Sequence, residues 1–358
     1  MEFVTRVPTN PNDGGSQSKE EHPLVAAWNE YYESRKASLR APSEKAFCGH
    51  VKSTSSFLRT TFVGFESRAF GSVLGIFLFL TLYTILITVL YEYYVDTFKV
   101  PAQGLNFEFG AVTTTLSFLL VFRMSRAAVR WWDSRSFWGV IIAKSRDLAT
   151  RVIAMPSTQP ETVLALLKEI FLYAVSVRCF LRSTPVIYDD LKGVCEASRV
   201  EELNRSKHVF LTVIISMRKL LHKIHAEAAM NTSSMSDSLL LEQHLQIVDT
   251  LNGKAGGMER IKNSPLPLVY TTHLRTFLVL YFLWLPWTLL EDFGYYTILT
   301  CAISAFVFLG IEGAASDVDM GPYLPDHPNH VDVDALCIAI QRDIQLCIEE
   351  YMHDHNKK

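Results

Sequence analysis

Closely spaced cysteine pairs are missing from this sequence, and so is an excess of charge of either sign. The six cysteines are scattered and form no C-x-x-C pair, which argues against a disulfide framework and for a reducing compartment. The 34 Lys and Arg residues nearly balance the 37 Asp and Glu residues. Such a balance indicates neither a nucleic-acid-binding protein nor an acidic interaction tail.

Motifs of the common enzyme classes are also missing. The sequence contains no G-x-S-x-G, phosphate-binding loop or H-E-x-x-H motif. The stretch "GKAGGMER" is glycine-rich, but it follows a predicted helix, so we interpret it as a helix stop and a turn. His222 and His225 share one helical face, with His208 upstream, and the alternatives there are a metal site and a solvated basic face. Their neighbours Lys219 and Lys223 favour the solvated face, so the sequence predicts no enzyme.

Long apolar windows are the dominant feature instead. Residues 69–91 carry no charge and would form about 35 Å of helix, enough to cross a hydrocarbon core of about 30 Å. Residues 293–311 form a second window of similar quality. Shorter windows cover residues 109–122 and residues 276–290, and the latter contains Pro286. Together they predict four membrane helices.

The distribution of basic residues predicts which side of the membrane each connection faces. Residues 123–151 are rich in Arg and Lys, whereas the connections at 92–108 and 291–292 are acidic. By the positive-inside rule, the segment between the second and third spans faces inward. This segment has helical periodicity, with a helix start at Pro160 and a helix break at Gly253. The predicted fold class is all-α, a membrane bundle extended by an inward helical domain.

Five parts follow one another along the predicted chain. Residues 1–54 form a polar N-terminal tail and an amphipathic segment, in which no secretory signal or clear transit peptide is found. Residues 55–132 hold membrane helices one and two, and residues 133–268 form the inward helical domain. Residues 269–312 hold membrane helices three and four, and residues 313–358 form an inward C-terminal segment.

A ladder of arginines follows the second predicted span, at spacings of three, four and five residues: Arg123, Arg126, Arg130 and Arg135. Charged side chains beside a span usually face protein or water, because contact with lipid is costly. Thr114, Phe118 and Phe122 precede Arg126 and Arg130 at intervals of four, which forms one slowly drifting stripe on a tilted helix. In a symmetric ring of copies, this stripe would place apolar constrictions above cationic rings, as in the inner funnel of an anion channel.

Three stretches resemble the bestrophin family, particularly its plant thylakoid and bacterial branch. "LLVFRMSRAAVRWWDSRSFWGVIIAKSRDLATR" is similar to the family's second span, which runs into Arg-Trp-Trp with a following Arg, Trp-Gly and Ser-Arg. "GGMERIKNSPLPLVYTTHLRTFLVLYFLWLP" resembles the approach to its third span. "VDMGPYLPDHPNHVDVDALC" is similar to the segment after its fourth span, including the final Asp-x-Leu-Cys. The resemblance covers residues 55–350.

This resemblance implies a bestrophin-like homopentamer with four transmembrane helices per subunit around a single axial pore. It implies an anion channel that conducts chloride and other monovalent anions. The pore neck then maps onto Thr114, Phe118 and Phe122 of the second helix. An inner constriction maps onto Leu239, for which ordinary helix packing is the alternative.

Two further sets of site residues follow from the resemblance. Arg123 and Arg126 are candidates for anion selectivity, and the plant branch favours Arg123. In animal members the segment after the fourth span helps to form a calcium clasp, of which only Asp326 and Asn329 are retained in kind, while Leu324 replaces a glycine. One carboxylate and one amide are a poor start for a cation that requires six to eight oxygens, so we expect no required cofactor and little dependence on calcium.

The sequence leaves several functions open. Nitrate and bicarbonate are alternative permeant ions, and a bicarbonate-selective channel of a photosynthetic membrane would share the same architecture. A membrane scaffold that does not conduct is an alternative of a different class. The predicted partners are further copies of the chain, membrane lipids and the permeant anion, without nucleic acid. A thylakoid or other chloroplast membrane is preferred over the plasma membrane as the location.

Overall fold

The computed structural model describes residues 68–93, 105–155, 159–187, 191, 194–231, 235–319, 322–323 and 331–356. Within these ranges the chain forms nine α-helices and no strand, which confirms the all-α fold class. The helices are α1 (Arg68–Tyr93), α2 (Leu105–Ile153), α3 (Pro160–Arg182), α4 (Ala197–Arg205), α5 (Val209–Asn231), α6 (Met235–Asn263), α7 (Leu268–Phe293), α8 (Tyr296–Asp319) and α9 (Val333–Asn356). The predicted tail at residues 1–54 and the candidate calcium ligands Asp326 and Asn329 lie outside the described residues.

Four helices, α1, α2, α7 and α8, are long and apolar enough to cross a membrane, which confirms the four predicted spans. α7 begins at Leu268, ahead of the apolar window at residues 276–290, and it passes through Pro286 without ending. The polar side chains of His273 and Arg275 interrupt the apolar pattern near the start of α7. This interruption explains why the apolar window is shorter than the helix.

The four membrane helices pack around one apolar core. Its buried residues are Leu80, Leu116, Leu120, Leu274, Leu278, Tyr281, Phe282, Leu285, Cys301, Ala305 and Leu309. A polar contact joins α1 to α7, because the Tyr83 hydroxyl donates to the Leu283 carbonyl oxygen at 3.1 Å. The indole Nε1 of Trp287 donates in turn to the Tyr83 hydroxyl at 3.0 Å. Such internal partners satisfy polar groups that lipid cannot hydrogen-bond.

A second and larger core lies in the inward bundle around α3. This helix begins at Pro160, as predicted, and stops at Ser183, whose φ of 57° is left-handed. Most of its side chains are buried on every side, which is typical of a helix in the centre of a bundle. The second half of α2 contributes the fully buried Trp138, and α4, α5, α6 and α9 contribute further residues to the core. The inward segment is therefore a packed helical bundle in its own right.

α6 does not end at Gly253, so the predicted helix break there is wrong. The helix continues through all three glycines of "GKAGGMER". A glycine inside a helix costs about 1 kcal/mol relative to alanine, but the buried side chains of Ala255 and Met258 anchor this part of α6. Gly257 lies against the Phe137 ring of α2, where an added Cβ would be 2.9 Å from a ring carbon. The glycine thus permits close packing of α6 on α2 instead of forming a turn.

α2 is one continuous helix of 49 residues that joins the two bundles. At about 1.5 Å per residue it is about 74 Å long, so it crosses the membrane and continues into the inward bundle. The predicted boundary between residues 132 and 133 therefore divides a continuous helix, and the boundary between 312 and 313 lies within α8. A rigid α2 connects the orientation of its membrane half directly to the inward bundle.

Candidate ion pathway

The predicted neck residues form one exposed stripe on the membrane half of α2. Thr114 is exposed, and Phe118 and Phe122 keep 64% and 51% of their surface accessible in one protomer. The two phenylalanine rings meet edge to face, with their centroids 5.1 Å apart. On the opposite side of the same helix, Leu116 and Leu120 are fully buried in the membrane core. The protomer thus packs one side of α2 and leaves the neck residues available to a partner or to a pore.

The arginines that follow this stripe point in different directions. Arg123 is only 2% exposed, with its Nη1 donating to Asp319 Oδ2 at 3.2 Å and its Nε 3.6 Å from Glu312 Oε2. Arg126 is exposed, and the described part of the chain places no carboxylate within ion-pair distance of it. In the protomer Arg126, and not Arg123, lies on the exposed side of α2, and the assignment of either arginine to anion selectivity stays a prediction. The charge of Arg123 is compensated inside the protomer, whereas that of Arg126 remains at the surface.

Arg130 connects α2 to two other helices. Its Nε lies 3.0 Å from Asp319 Oδ1 on α8. Its Nη1 and Nη2 donate to the carbonyl oxygens of Ser264 and Ile261 at 2.5 and 2.8 Å, at the C-terminal end of α6. The last carbonyls of a helix lack intrahelical partners and attract cations, so this is a favourable place for a guanidinium group.

Glu312 and Asp319 are functional candidates that the sequence reasoning missed. The Glu312 side chain is 4% exposed and also pairs with Arg275 of α7, whose Nε is 2.9 Å from Oε1. A signal was present, because an acidic residue in an apolar helix requires a partner of opposite charge or a water-filled path. The spacing of seven residues places both carboxylates on one face of α8. The sequence alone does not say which arginines meet them.

Leu239, the candidate inner constriction, lies near the start of α6 and is 65% exposed. The next residue, Leu240, is exposed as well. The exposure of Leu239 therefore argues against the alternative of ordinary packing within the protomer. Its assignment to a constriction stays a prediction, since that role depends on neighbouring copies of the chain.

The histidines considered as metal ligands are not brought together. Among the residues that the structure describes, no group of three His, Cys, Asp or Glu side chains is placed to hold a metal ion. His208 lies near Glu259, with Nε2 3.5 Å from Oε1, and His222 is exposed on α5. His225 is buried, and its Nε2 is 2.9 Å from Nδ1 of His244 on α6. The predicted solvated face therefore holds for His222 and is wrong for His225.

Burial lowers the pKa of His244 to about 4, with smaller electrostatic contributions from its neighbours His225 and Arg151. A neutral imidazole has one nitrogen that donates and one that accepts, so two neutral rings can share a single N–H···N hydrogen bond. Arg151 of α2 acts on His244 electrostatically and donates from Nη1 to Gln243 Oε1 at 3.3 Å. The contact between His225 and His244 joins α5 to α6 one to two turns after Leu239.

Known bestrophins resemble this chain in both sequence and fold. Residues 50–346 match the family model described as bacterial/fungal bestrophin protein. A voltage-dependent anion channel-forming protein of Nostoc sp. is 28% identical over 290 residues, which cover 79% of this chain and 89% of that relative. The chloroplastic voltage-dependent chloride channel 2 of Arabidopsis thaliana is 27% identical over 65% of this chain and 54% of that relative.

Solved structures share the fold of this chain although their sequence identity to it is low. A variant of a bacterial bestrophin homolog from Klebsiella pneumoniae superposes with a TM-score of 0.68 at 19% identity, covering 78% of this chain and 99% of that chain. The relatives' names describe channels, which agrees with the prediction that the chain is not an enzyme. Because the family model spans most of the sequence and the fold is shared, this protein is a multi-pass membrane protein that belongs to the bestrophin family.

Proposed function

We propose that this protein is a homopentameric channel that conducts chloride and other monovalent anions across a membrane. The observation that carries the proposal is the exposed stripe of Thr114, Phe118 and Phe122, which continues on the same helix to the exposed Arg126. An apolar neck followed by cationic side chains favours a partly dehydrated anion over a cation. The channel names of the Nostoc and Arabidopsis relatives support the same function.

Assembly into a ring is needed for this pathway to exist. One protomer contributes a single α2 to the pathway, and a single helix cannot enclose water. In a ring, each copy would present the same stripe to the axis and stack the phenylalanine rings into two apolar constrictions. The number five comes from the resemblance to bestrophins. Leu239, exposed near the start of α6, is the proposed second constriction below the neck.

Ion preference follows from the chemistry of the neck. An apolar ring offers no ligands to replace the water around an ion, so ions that lose water easily pass more readily. The edge of an aromatic ring is weakly positive, which makes it a smaller obstacle to an anion than to a cation. We therefore expect nitrate and iodide to permeate at least as well as chloride.

Two alternatives remain for experiment to decide. A bicarbonate-selective channel of a photosynthetic membrane would use the same neck, and the chloroplastic Arabidopsis relative supports a thylakoid or other chloroplast location. A scaffold whose closed neck never conducts would also bury the phenylalanine stripe in a ring. No described residue separates chloride from bicarbonate by its chemistry alone.

Reversal potentials of the purified protein in planar bilayers test the proposal directly. Gradients of chloride, bicarbonate and sodium salts would show an anion current whose reversal potential follows chloride, and native mass measurement would give five copies of the 40.6 kDa chain. A reversal potential that follows sodium would contradict anion selectivity. Absence of current from well-assembled rings would favour the scaffold, and a stable monomer or dimer would contradict the ring.

Neutralising Arg126 is expected to reduce anion-over-cation permeability, because its exposed guanidinium supplies positive charge just inward of the neck. The measurement is the reversal potential of Arg126→Ala in a potassium chloride gradient. Arg205→Ala is a matched control, since Arg205 is a largely exposed arginine of α4 whose partner is the nearby surface residue Glu201. Equal selectivity in Arg126→Ala and wild type would remove Arg126 from the pathway.

Calcium is proposed to be dispensable. Of the side-chain positions that hold calcium in animal members, Asp326 and Asn329 alone resemble ligands in kind. One carboxylate with one amide supplies too few oxygens for tight calcium binding. Adding a calcium chelator to both bilayer chambers should therefore leave the current largely intact. Loss of current with chelator, restored by micromolar calcium, would show that this segment still forms a clasp.

A further inference from the structure

An ionic network with a buried centre connects the neck helix to three other helices. Asp319 of α8 pairs with Arg123 and Arg130 of α2 at 3.2 and 3.0 Å. Glu312, two turns earlier on α8, lies 3.6 Å from Arg123 and 2.9 Å from Arg275 of α7. Arg130 extends the network to α6 through the backbone carbonyls at the end of that helix. We use the name charge clamp for five residues: Arg123, Arg130, Arg275, Glu312 and Asp319.

Burial separates the charge clamp from ordinary surface ion pairs. The side chains of Arg123, Glu312 and Asp319 at its centre are 2%, 4% and 12% exposed, whereas Arg130 and Arg275 at its edges are 19% and 55% exposed. Removing one partner from a buried pair leaves an uncompensated charge, which is far more disruptive than breaking an exposed pair. A rotation of α2 that pulled Arg123 away from both carboxylates would therefore be strongly opposed.

The position of Arg123 links this restraint to the neck. Arg123 directly follows Phe122, and successive residues of an α-helix point about 100° apart. Holding Arg123 toward α8 therefore turns Phe122, and Phe118 one turn earlier, to the exposed side of α2. The Arg123 guanidinium lies between two carboxylates, with Nη1 donating to Asp319 Oδ2 and Nε 3.6 Å from Glu312 Oε2, so attraction from both restrains the direction of the side chain.

We propose that Glu312 and Asp319 are positioning residues of the neck, which hold the arginines of α2 and so set the rotation of the phenylalanine stripe. The competing role for Arg123 and Arg130 is a direct contribution of positive charge to the anion pathway. The inference rests on the proposed channel function, because it assigns what fixes the width of the neck. The two roles respond differently to a substitution that keeps charge but changes shape.

Arg123→Lys is the decisive variant. Lysine keeps the positive charge, but its single ammonium group cannot meet two carboxylates in the manner of a guanidinium fork. If the charge clamp positions the neck, the variant should change the open probability by about fivefold or more and shift the nitrate-to-chloride permeability ratio. If Arg123 acts by its charge, both values should stay at those of wild type. The measurement is single-channel recording of full-length protein in planar bilayers under nitrate and chloride.

The direction in which two charge-neutralising substitutions shift the channel properties gives a second test. Arg123→Gln and Asp319→Asn remove opposite charges from one pair with little change of volume. Positioning predicts that both shift the open probability and the permeability ratio in the same direction, with the double variant close to either single one. A direct charge effect predicts opposite shifts that cancel in the double variant. Opposite shifts would overturn the inference.

A surface ion pair provides the control variant. The combined outcomes distinguish failure of this inference from failure of the proposed function. Arg218 and Asp249 pair at 2.6 Å with both side chains well exposed, so Arg218→Gln should behave like wild type. A conducting wild type with an indistinguishable Arg123→Lys overturns the inference alone, and failure of Arg123→Lys to assemble would overturn it in favour of a purely structural role. A well-assembled wild type without anion current overturns the proposed function and this inference with it.

Discussion

Replacing Phe118 and Phe122 together by alanine is expected to raise the anion conductance several-fold and to weaken closure of the channel. In a ring of copies the two side chains form successive apolar constrictions that deny an ion its water ligands and can empty of water. Alanine widens both constrictions and keeps them apolar, so the barrier falls without a new binding site. Single-channel conductance and closed times in planar bilayers with equal chloride on both sides measure the effect.

The fold should tolerate this double substitution. Phe118 and Phe122 are more than half exposed in the protomer, so truncation creates little internal cavity. Leu116 and Leu120 lie on the opposite side of α2 and are fully buried, which makes them matched controls on the same helix. Leu116→Ala and Leu120→Ala should each destabilise the protein by about 2–5 kcal/mol without widening the neck. Thermal unfolding of the detergent-solubilised protein compares the two sets.

Two outcomes would contradict the assignment of the neck. A well-assembled Phe118→Ala, Phe122→Ala protein with the conductance and gating of wild type would remove both residues from the pathway. Loss of assembly, with a drop in stability as large as that of the leucine variants, would place the rings in contacts between copies instead of at the axis. Only a stable, assembled and leakier channel agrees with the proposed neck.

Features that depend on local sequence were predictable. An apolar window predicts a membrane helix because the hydrocarbon core accepts apolar side chains and leaves the backbone to hydrogen-bond within the helix, so the four spans follow from local composition. The start of α3 at Pro160 follows equally from a local rule. The intervals of four residues also placed Thr114, Phe118 and Phe122 on one stripe, and the fold exposes that stripe.

Features that depend on distant partners were not predictable in the same way. Asp319, the partner of Arg123, lies 196 residues away in the sequence, and no local pattern says that the two side chains meet. The ladder therefore looked uniform, although the fold buries Arg123 and exposes Arg126. The glycines of α6 looked like a helix stop for a similar reason, because Phe137 of α2 is what makes the small residue useful there.

The prediction of a solvated His225 is wrong because the partner of this side chain is on another helix. Its position beside lysines on α5 suggested solvent, but the neighbouring α6 supplies His244 and buries both rings. The outcome is a buried pair of imidazole rings that lies within the electrostatic influence of Arg151. This pair predicts a specific dependence of stability on pH.

Acidification from pH 8 to pH 5 is expected to destabilise the inward bundle. Burial lowers the pKa of His244 from its ordinary value of 6.5 to about 4, with smaller electrostatic contributions from its neighbours His225 and Arg151. The unfolded chain therefore takes up a proton near pH 6.5, while the folded bundle resists it until about pH 4. Stability from this group is present above pH 6.5 and is lost as the pH falls toward 4. Between pH 8 and pH 5 the loss amounts to about 2 kcal/mol per protomer.

Two histidine variants isolate this contribution. His244→Gln cannot titrate, so its thermal stability should fall less than that of wild type between pH 8 and pH 5, with the difference close to the loss assigned to His244. His222→Gln is the matched control, because His222 is an exposed histidine on α5 and should leave the pH dependence of wild type unchanged. Parallel pH profiles for wild type and His244→Gln would contradict the prediction.

Since His244 contacts α5 just after the proposed inner constriction at Leu239, the same acid range should also loosen the start of α6. Backbone amide hydrogen exchange measures that loosening. At pH 5, exchange near the start of α6 should be faster than the change in pH alone explains in wild type, and His244→Gln should not show this excess.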